Sequence, residues 1–121
     1  MILGQFRDGF PRIVLELPLL DGGSRKIQFI VDSGFEADLA LPPSVIDVLD
    51  ATYVGDIPIS LADLTFRTRP VYRLFLNWQG EDRITEVISM EGNPLLGVGV
   101  LLGNQVLMDM TEGGDVTVET L

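Results

Sequence analysis

Residues 25–34 read Arg25-Lys26-Ile27-Gln28-Phe29-Ile30-Val31-Asp32-Ser33-Gly34. Ile27, Phe29 and Val31 alternate with Lys26, Gln28 and Ile30, the period of two that points one row of side chains into a core. The row stops at three turn-forming residues, so a strand over Arg25–Val31 runs straight into a polar loop headed by a carboxylate. Whatever surrounds this segment must supply sheet partners for the strand and a setting for Asp32.

Outward toward the N-terminus, Arg12 to Leu20 sets Ile13, Leu15, Leu17 and Leu19 on one face, a second strand. Asp8-Gly9 before it and Asp21-Gly22-Gly23-Ser24 after it suit the positive φ angles of tight hairpins. Outward toward the C-terminus, Leu39-Ala40-Leu41 is short and apolar. Pro42-Pro43-Ser44 then opens a short helix over Val45–Asp50, because proline is tolerated in a first turn and Val45, Val48 and Leu49 recur at helical spacing. Ile57, Ile59 and Leu61 alternate, Asp63-Leu64-Thr65 turns, and Val71 to Trp78 is rich in β-favouring residues, a long hairpin. Gln79-Gly80-Glu81-Asp82 leads into a strand over Arg83–Met90. Leu95 to Leu102 is apolar and fits a buried strand followed by a helical turn, a choice periodicity leaves open. A last hairpin pairs Val106, Met108 and Met110 with Val116, Val118 and Thr120 across Glu112-Gly113-Gly114-Asp115. About eight strands and one or two short helices predict a mainly β fold, a small closed β-barrel or a sandwich.

The chain has 121 residues, 46% apolar and 21% charged, which predicts one domain over 1–121 with a single core. There is no Cys and no His, so disulfides, thiol nucleophiles, zinc fingers and histidine-based serine or cysteine sites are excluded. Lys26 is the only lysine, which argues against Schiff-base chemistry. Carboxylates are the only abundant acid–base groups. The 18 acidic and 8 basic residues give a formal charge of −10, which repels a phosphate backbone, so nucleic acid is not an expected partner. Met1–Asp8 lacks the basic start and apolar run of a secretory signal, and no apolar stretch approaches a membrane span, so a cytoplasmic location is expected. No acidic loop has the spacing of a calcium site, and neither metal nor cofactor is expected.

Asp32-Ser33-Gly34 behind Phe29-Ile30-Val31 resembles the retropepsin-like aspartic proteases, whose hallmark is two apolar residues followed by Asp-Thr/Ser-Gly. The family's second element is a pair of branched apolar residues and a glycine before a short helix; Leu95-Leu96-Gly97 matches it. Between the two lies Ile57–Leu76, in the place of the family's flap hairpin, with Ala62-Asp63-Leu64 at the tip. Val31 to Pro43 also resembles the small single-domain bacterial members. The likeness covers Arg12 to Met110. Val98 stands where retroviral members carry an arginine that pairs with an acidic residue of the loop, here Glu36 or Asp38. Leu64 stands where bacterial relatives often have glycine, and Phe35 is bulkier than its retroviral counterpart.

The resemblance implies a closed barrel of the retropepsin type and hydrolysis of peptide bonds. That reaction needs one ionised carboxyl group to take a proton from water and one protonated group to polarise the carbonyl. Two carboxylates about 3 Å apart supply both, because they cannot both ionise. The chain holds one Asp-Ser-Gly, so the resemblance implies a homodimer with one Asp32 from each copy. Ser33 would hold the two loops together, Gly34 would give backbone access to the water, and Ala62, Asp63 and Leu64 would cover a peptide or protein substrate. Two other expectations compete: a non-enzymatic module of the same fold that binds peptides or dimerises, and an unrelated small barrel with a coincidental Asp-Ser-Gly.

Overall fold

The computed structural model describes residues 1–121. In order it contains β1 (Ile2–Arg7), β2 (Phe10–Pro18), β3 (Ser24–Val31), β4 (Leu39–Leu41), α1 (Pro43–Ile46), β5 (Thr52–Ser60), β6 (Phe66–Trp78), β7 (Glu81–Ser89), β8 (Leu95–Leu96), α2 (Val98–Leu101), β9 (Asn104–Met108) and β10 (Asp115–Thr120). The mainly β class is as expected, with ten strands in place of about eight; β1 and the two very short strands β4 and β8 are the difficult ones to see in sequence. No helix is long and apolar enough to cross a membrane.

The alternating rows do what their period demands. Ile13, Leu15 and Leu17 of β2, and Ile27, Phe29 and Val31 of β3, enter one 19-residue core with Leu74, Leu76 and Trp78 of β6 and Val116 and Val118 of β10. Two tight hairpin turns use left-handed pairs, Asp8-Gly9 at φ 51° and 80° and Gln79-Gly80 at φ 51° and 91°, the geometry that matches the twist of the flanking strands. The strand order is β5-β6-β7-β4-β8-β3-β2-β1-β10-β9. Most pairs are antiparallel; β3 with β8 and β4 with β7 are parallel.

The closed barrel is not formed: the ladder is open, ending at β5 on one side and β9 on the other. β5 has no buried residue, so no apolar row draws it across to β9. The core is instead sealed by folding the sheet over, with β6 packed against β2. The predicted helix over Val45–Asp50 is shorter, Pro43–Ile46. The chain is recaptured by the end of β2, where Asp50 N–H bonds Pro18 C=O (2.9 Å) and Leu20 N–H bonds Val48 C=O (3.1 Å). Leu95–Leu102 resolves into β8 and the single turn α2, with Leu96 and Val100 fully buried. Ile2–Gln5 pairs with Asp115–Val118 of the same chain, so the two termini are already joined in one ladder.

Candidate active site

β8 is a two-residue strand threaded between β3 and β4, parallel to the first (Ile30 with Leu95, Val31 with Leu96) and antiparallel to the second (Leu39 with Leu96, Ala40 with Leu95). The loop from Asp32 to Asp38 therefore bridges over β8. Backbone bonds fasten it along its length. Asp32 N–H donates to Leu96 C=O (2.9 Å), Val98 N–H to Phe35 C=O (2.8 Å), Gly97 N–H to Asp38 C=O (2.8 Å) and Gly99 N–H to Ala37 C=O (3.1 Å). Asp-Ser-Gly and Leu-Leu-Gly, far apart in sequence, thus form one unit.

Within that unit Asp32 opens a tight turn. Phe35 N–H donates to Asp32 C=O (3.2 Å), and one Asp32 carboxylate oxygen, Oδ1, accepts the Gly34 N–H at 2.9 Å. That hydrogen bond fixes the carboxylate's orientation and leaves Oδ2 without a protein donor, free to meet solvent or a ligand. A side chain at position 34 would bring its Cβ to 3.2 Å from Oδ1, so glycine keeps the carboxylate uncrowded. Ser33 is exposed beside it.

Gly97 of the second motif, Asp38 and Gly99, the last of which neither motif singles out, hold the loop down. At Gly97 a Cβ would lie 2.1 Å from Ala37 O and 2.6 Å from Phe35 O; at Gly99 it would lie 2.1 Å from Asp38 Oδ1. The loop rests directly on these two glycines. Asp38 Oδ2 accepts the Glu86 N–H at 3.0 Å, which ties the loop to β7. Asp38, and not Glu36, is thus the acidic residue built into the loop, and its partner is a backbone N–H where an ion pair would need an arginine at position 98. The sequence signal was present as an acidic residue six positions after Asp32 and a second glycine two positions after Leu-Leu-Gly.

The β5–β6 hairpin supplies the opposite wall. Ile57–Ser60 face Gly34–Ala37 across a cleft of about 390 Å³, floored by Ile88. On the other side of the loop a second hollow, about 380 Å³, has Asp32 in its wall with Phe10, Ile30, Met90 and Leu95. The largest depression, about 420 Å³, lies on the outer surface of β1 and β2 and contains no residue of the Asp32 loop. The cleft is lined by the hairpin's shaft; Ala62, Asp63 and Leu64 lie beyond it at the tip. There Asp63 Oδ1 accepts the Thr65 N–H (3.0 Å) and hydroxyl (2.6 Å). These bonds, the hydroxyl one foremost, pull the Asp63 carboxyl below its ordinary range. Leu64 occupies the left-handed region at φ 64°, the conformation for which glycine is preferred.

A single chain presents one Asp32 and no second carboxylate in hydrogen-bond contact with it. What the unit can do alone is orient one carboxylate in the wall of the hollow of about 380 Å³, across the loop from the hairpin cleft; acid–base hydrolysis needs a second such group. Comparison of the chain with protein-family models, with characterised proteins and with solved structures finds no match.

Proposed function

We propose that the chain is an aspartic endopeptidase of the retropepsin-like type, active as a homodimer in which two copies of Asp32 share a proton and a water. The observation that carries the reading is the union of Asp32-Ser33-Gly34 with Leu95-Leu96-Gly97 through β8, beneath a long hairpin. In the proposed mechanism one Asp32 takes a proton from the water, the other donates one to the scissile carbonyl, and the roles exchange as the amine leaves. The substrate lies extended in the cleft, bonded by backbone to the free edge of β5. Turnover falls at alkaline pH, where both carboxylates are ionised and no donor remains.

Two measurements test this. The solution mass near micromolar protein, at pH 5 and pH 7, should be that of a dimer. A peptide library should be cleaved by the native chain and not by Asp32→Asn, whose thermal transition should match the native one; undiminished hydrolysis in that variant removes the mechanism. The substitution of Leu64 at the tip and of Val98 for arginine favours one other reading, a peptide-binding module without catalysis. Binding without cleavage at any pH from 4 to 8 would select it.

A further inference from the structure

The β5–β6 hairpin is a cationic element on an anionic molecule. Against a total of 18 acidic and 8 basic residues, residues 52–78 hold Asp56 and Asp63 against Arg67, Arg69 and Arg73. Both of those carboxylates are engaged locally: Asp56 accepts the Tyr53 hydroxyl (2.9 Å) and Asp63 is held by Thr65. Arg73 lies 3.8 Å from Glu86, the one ion pair in the molecule. Arg67 and Arg69 are left with no carboxylate within 4.0 Å and no side-chain hydrogen bond.

Their register places them on the hairpin face that carries two cleft-lining isoleucines. Arg69 is directly opposite Ile57 and Arg67 opposite Ile59, and cross-strand partners project from the same face of a sheet. Ile57 and Ile59 both line the cleft against Gly34–Ala37. Ile57, Val71 and Ile88 also meet Ala37 and Asp38 on that face, so it is the side turned toward the Asp32 loop. The other charged groups near it are Glu36, exposed in the cleft wall, Asp38, and Glu86, beside Arg73. With Asp38 and Glu86 committed elsewhere, the hairpin face that carries Ile57 and Ile59 holds two unengaged guanidinium groups, two residues apart on one strand. That is roughly 6.6–7 Å, the spacing of alternate side chains in any extended peptide.

We infer that the cleft selects extended peptides carrying acidic side chains at alternate positions, paired with Arg67 and Arg69 of the hairpin. This rests on the peptide-cleaving reading of the same site and names its substrate class. It runs against the molecule's overall field, which favours cationic ligands, so local pairing and net charge make opposite forecasts. Guanidinium is suited to the task because its planar fork grips a carboxylate through two bonds.

The test uses full-length Asp32→Asn protein, which holds peptide without cutting it, and fluorescent octapeptides with a central apolar pair flanked at alternate positions by Asp, Asn or Lys. The Asp peptides should bind about two- to fivefold tighter than the Asn peptides for each pair formed, the return expected from a partly exposed ion pair, and the advantage should shrink as salt rises. Adding Arg67→Gln and Arg69→Gln should erase it, while Arg25→Gln, at the far end of β3, should keep it. Equal binding of Asp and Asn peptides, or preference for Lys, overturns the inference. Native protein that cleaves the library with no charge preference also overturns it and leaves the endopeptidase reading standing. Acid-selective binding with no cleavage by native protein does the reverse.

Discussion

The Asp32 loop and the β5–β6 hairpin face each other across one cleft and are built on opposite principles. The loop is short, bonded through its backbone to β8 and α2, and seated on glycines with no room for a methyl group. The hairpin is long, has no buried residue in β5, and closes through a leucine at positive φ. A group that must be held within a fraction of an ångström belongs on the first kind of structure, whereas a wall that must admit and release a chain belongs on the second. Under the proposed function, the division assigns orientation of the carboxylate to the loop and recognition to the hairpin.

One substitution made on both sides gives the largest contrast. Gly97→Ala forces a Cβ onto two backbone oxygens and should cost about 3 kcal/mol in urea unfolding, or prevent folding. Gly55→Ala meets no atom within 4 Å and bears only the strain of φ 141°, about 1–2 kcal/mol. Equal losses would mean that the loop is not the tighter element. Next in size, Asp38→Ala strands the Glu86 N–H and should lower stability by about 1.5 kcal/mol, with Asp38→Asn losing less because it keeps an acceptor. A neutral Asp38→Ala would detach the loop from β7 in this account.

At the tip of the hairpin the expected effects are smaller. Leu64→Gly should relieve the left-handed backbone and raise stability by up to about 1 kcal/mol, read as a higher urea midpoint; a loss would show that the exposed leucine has a packing partner. The smallest effect is a pH response of the tip. The Asp63 carboxyl is lowered by its bonds from Thr65, so its contribution is complete above the unfolded value near 3.9 and is lost as pH falls through the folded value. Amide exchange at Thr65, corrected for its intrinsic pH dependence, should therefore lose protection in acid while Asp32, Leu96 and Val98 amides do not change, and Asp63→Asn should abolish the response.

Much of this division can be read from residues alone. The rows Ile13-Leu15-Leu17 and Ile27-Phe29-Val31 announce their burial by period, and Asp8-Gly9 and Gln79-Gly80 announce their turns by type. The order of Asp-Ser-Gly, hairpin and Leu-Leu-Gly brings the correct segments together. Periodicity is silent on β4 and β8, because strands of three and two residues have no period; they exist through their neighbours. It is equally silent on the open ladder, since closure depends on whether an edge strand has a buried row, and β5 combines β-favouring residues with none. The motifs give Gly99 no role and leave Glu36 and Asp38 interchangeable, and only the crossing of two distant segments reveals that Asp38 and Gly99 touch.

A ribosome delivers β3 and β4 well before β8. The seam between those strands is filled by Leu95 and Leu96, so the nascent chain cannot assemble the Asp32 loop until most of its length has been made. Pairing across such a sequence separation is entropically slow, while the β1–β2–β3 and β5–β6–β7 hairpins close locally. The carboxylate unit therefore takes shape late in synthesis, after the local hairpins and ahead of the pairing of β10 with β1. Under the proposed endopeptidase function, that order of assembly acts as a delay, keeping the cutting geometry incomplete while the polypeptide is still unfolded and within its own reach.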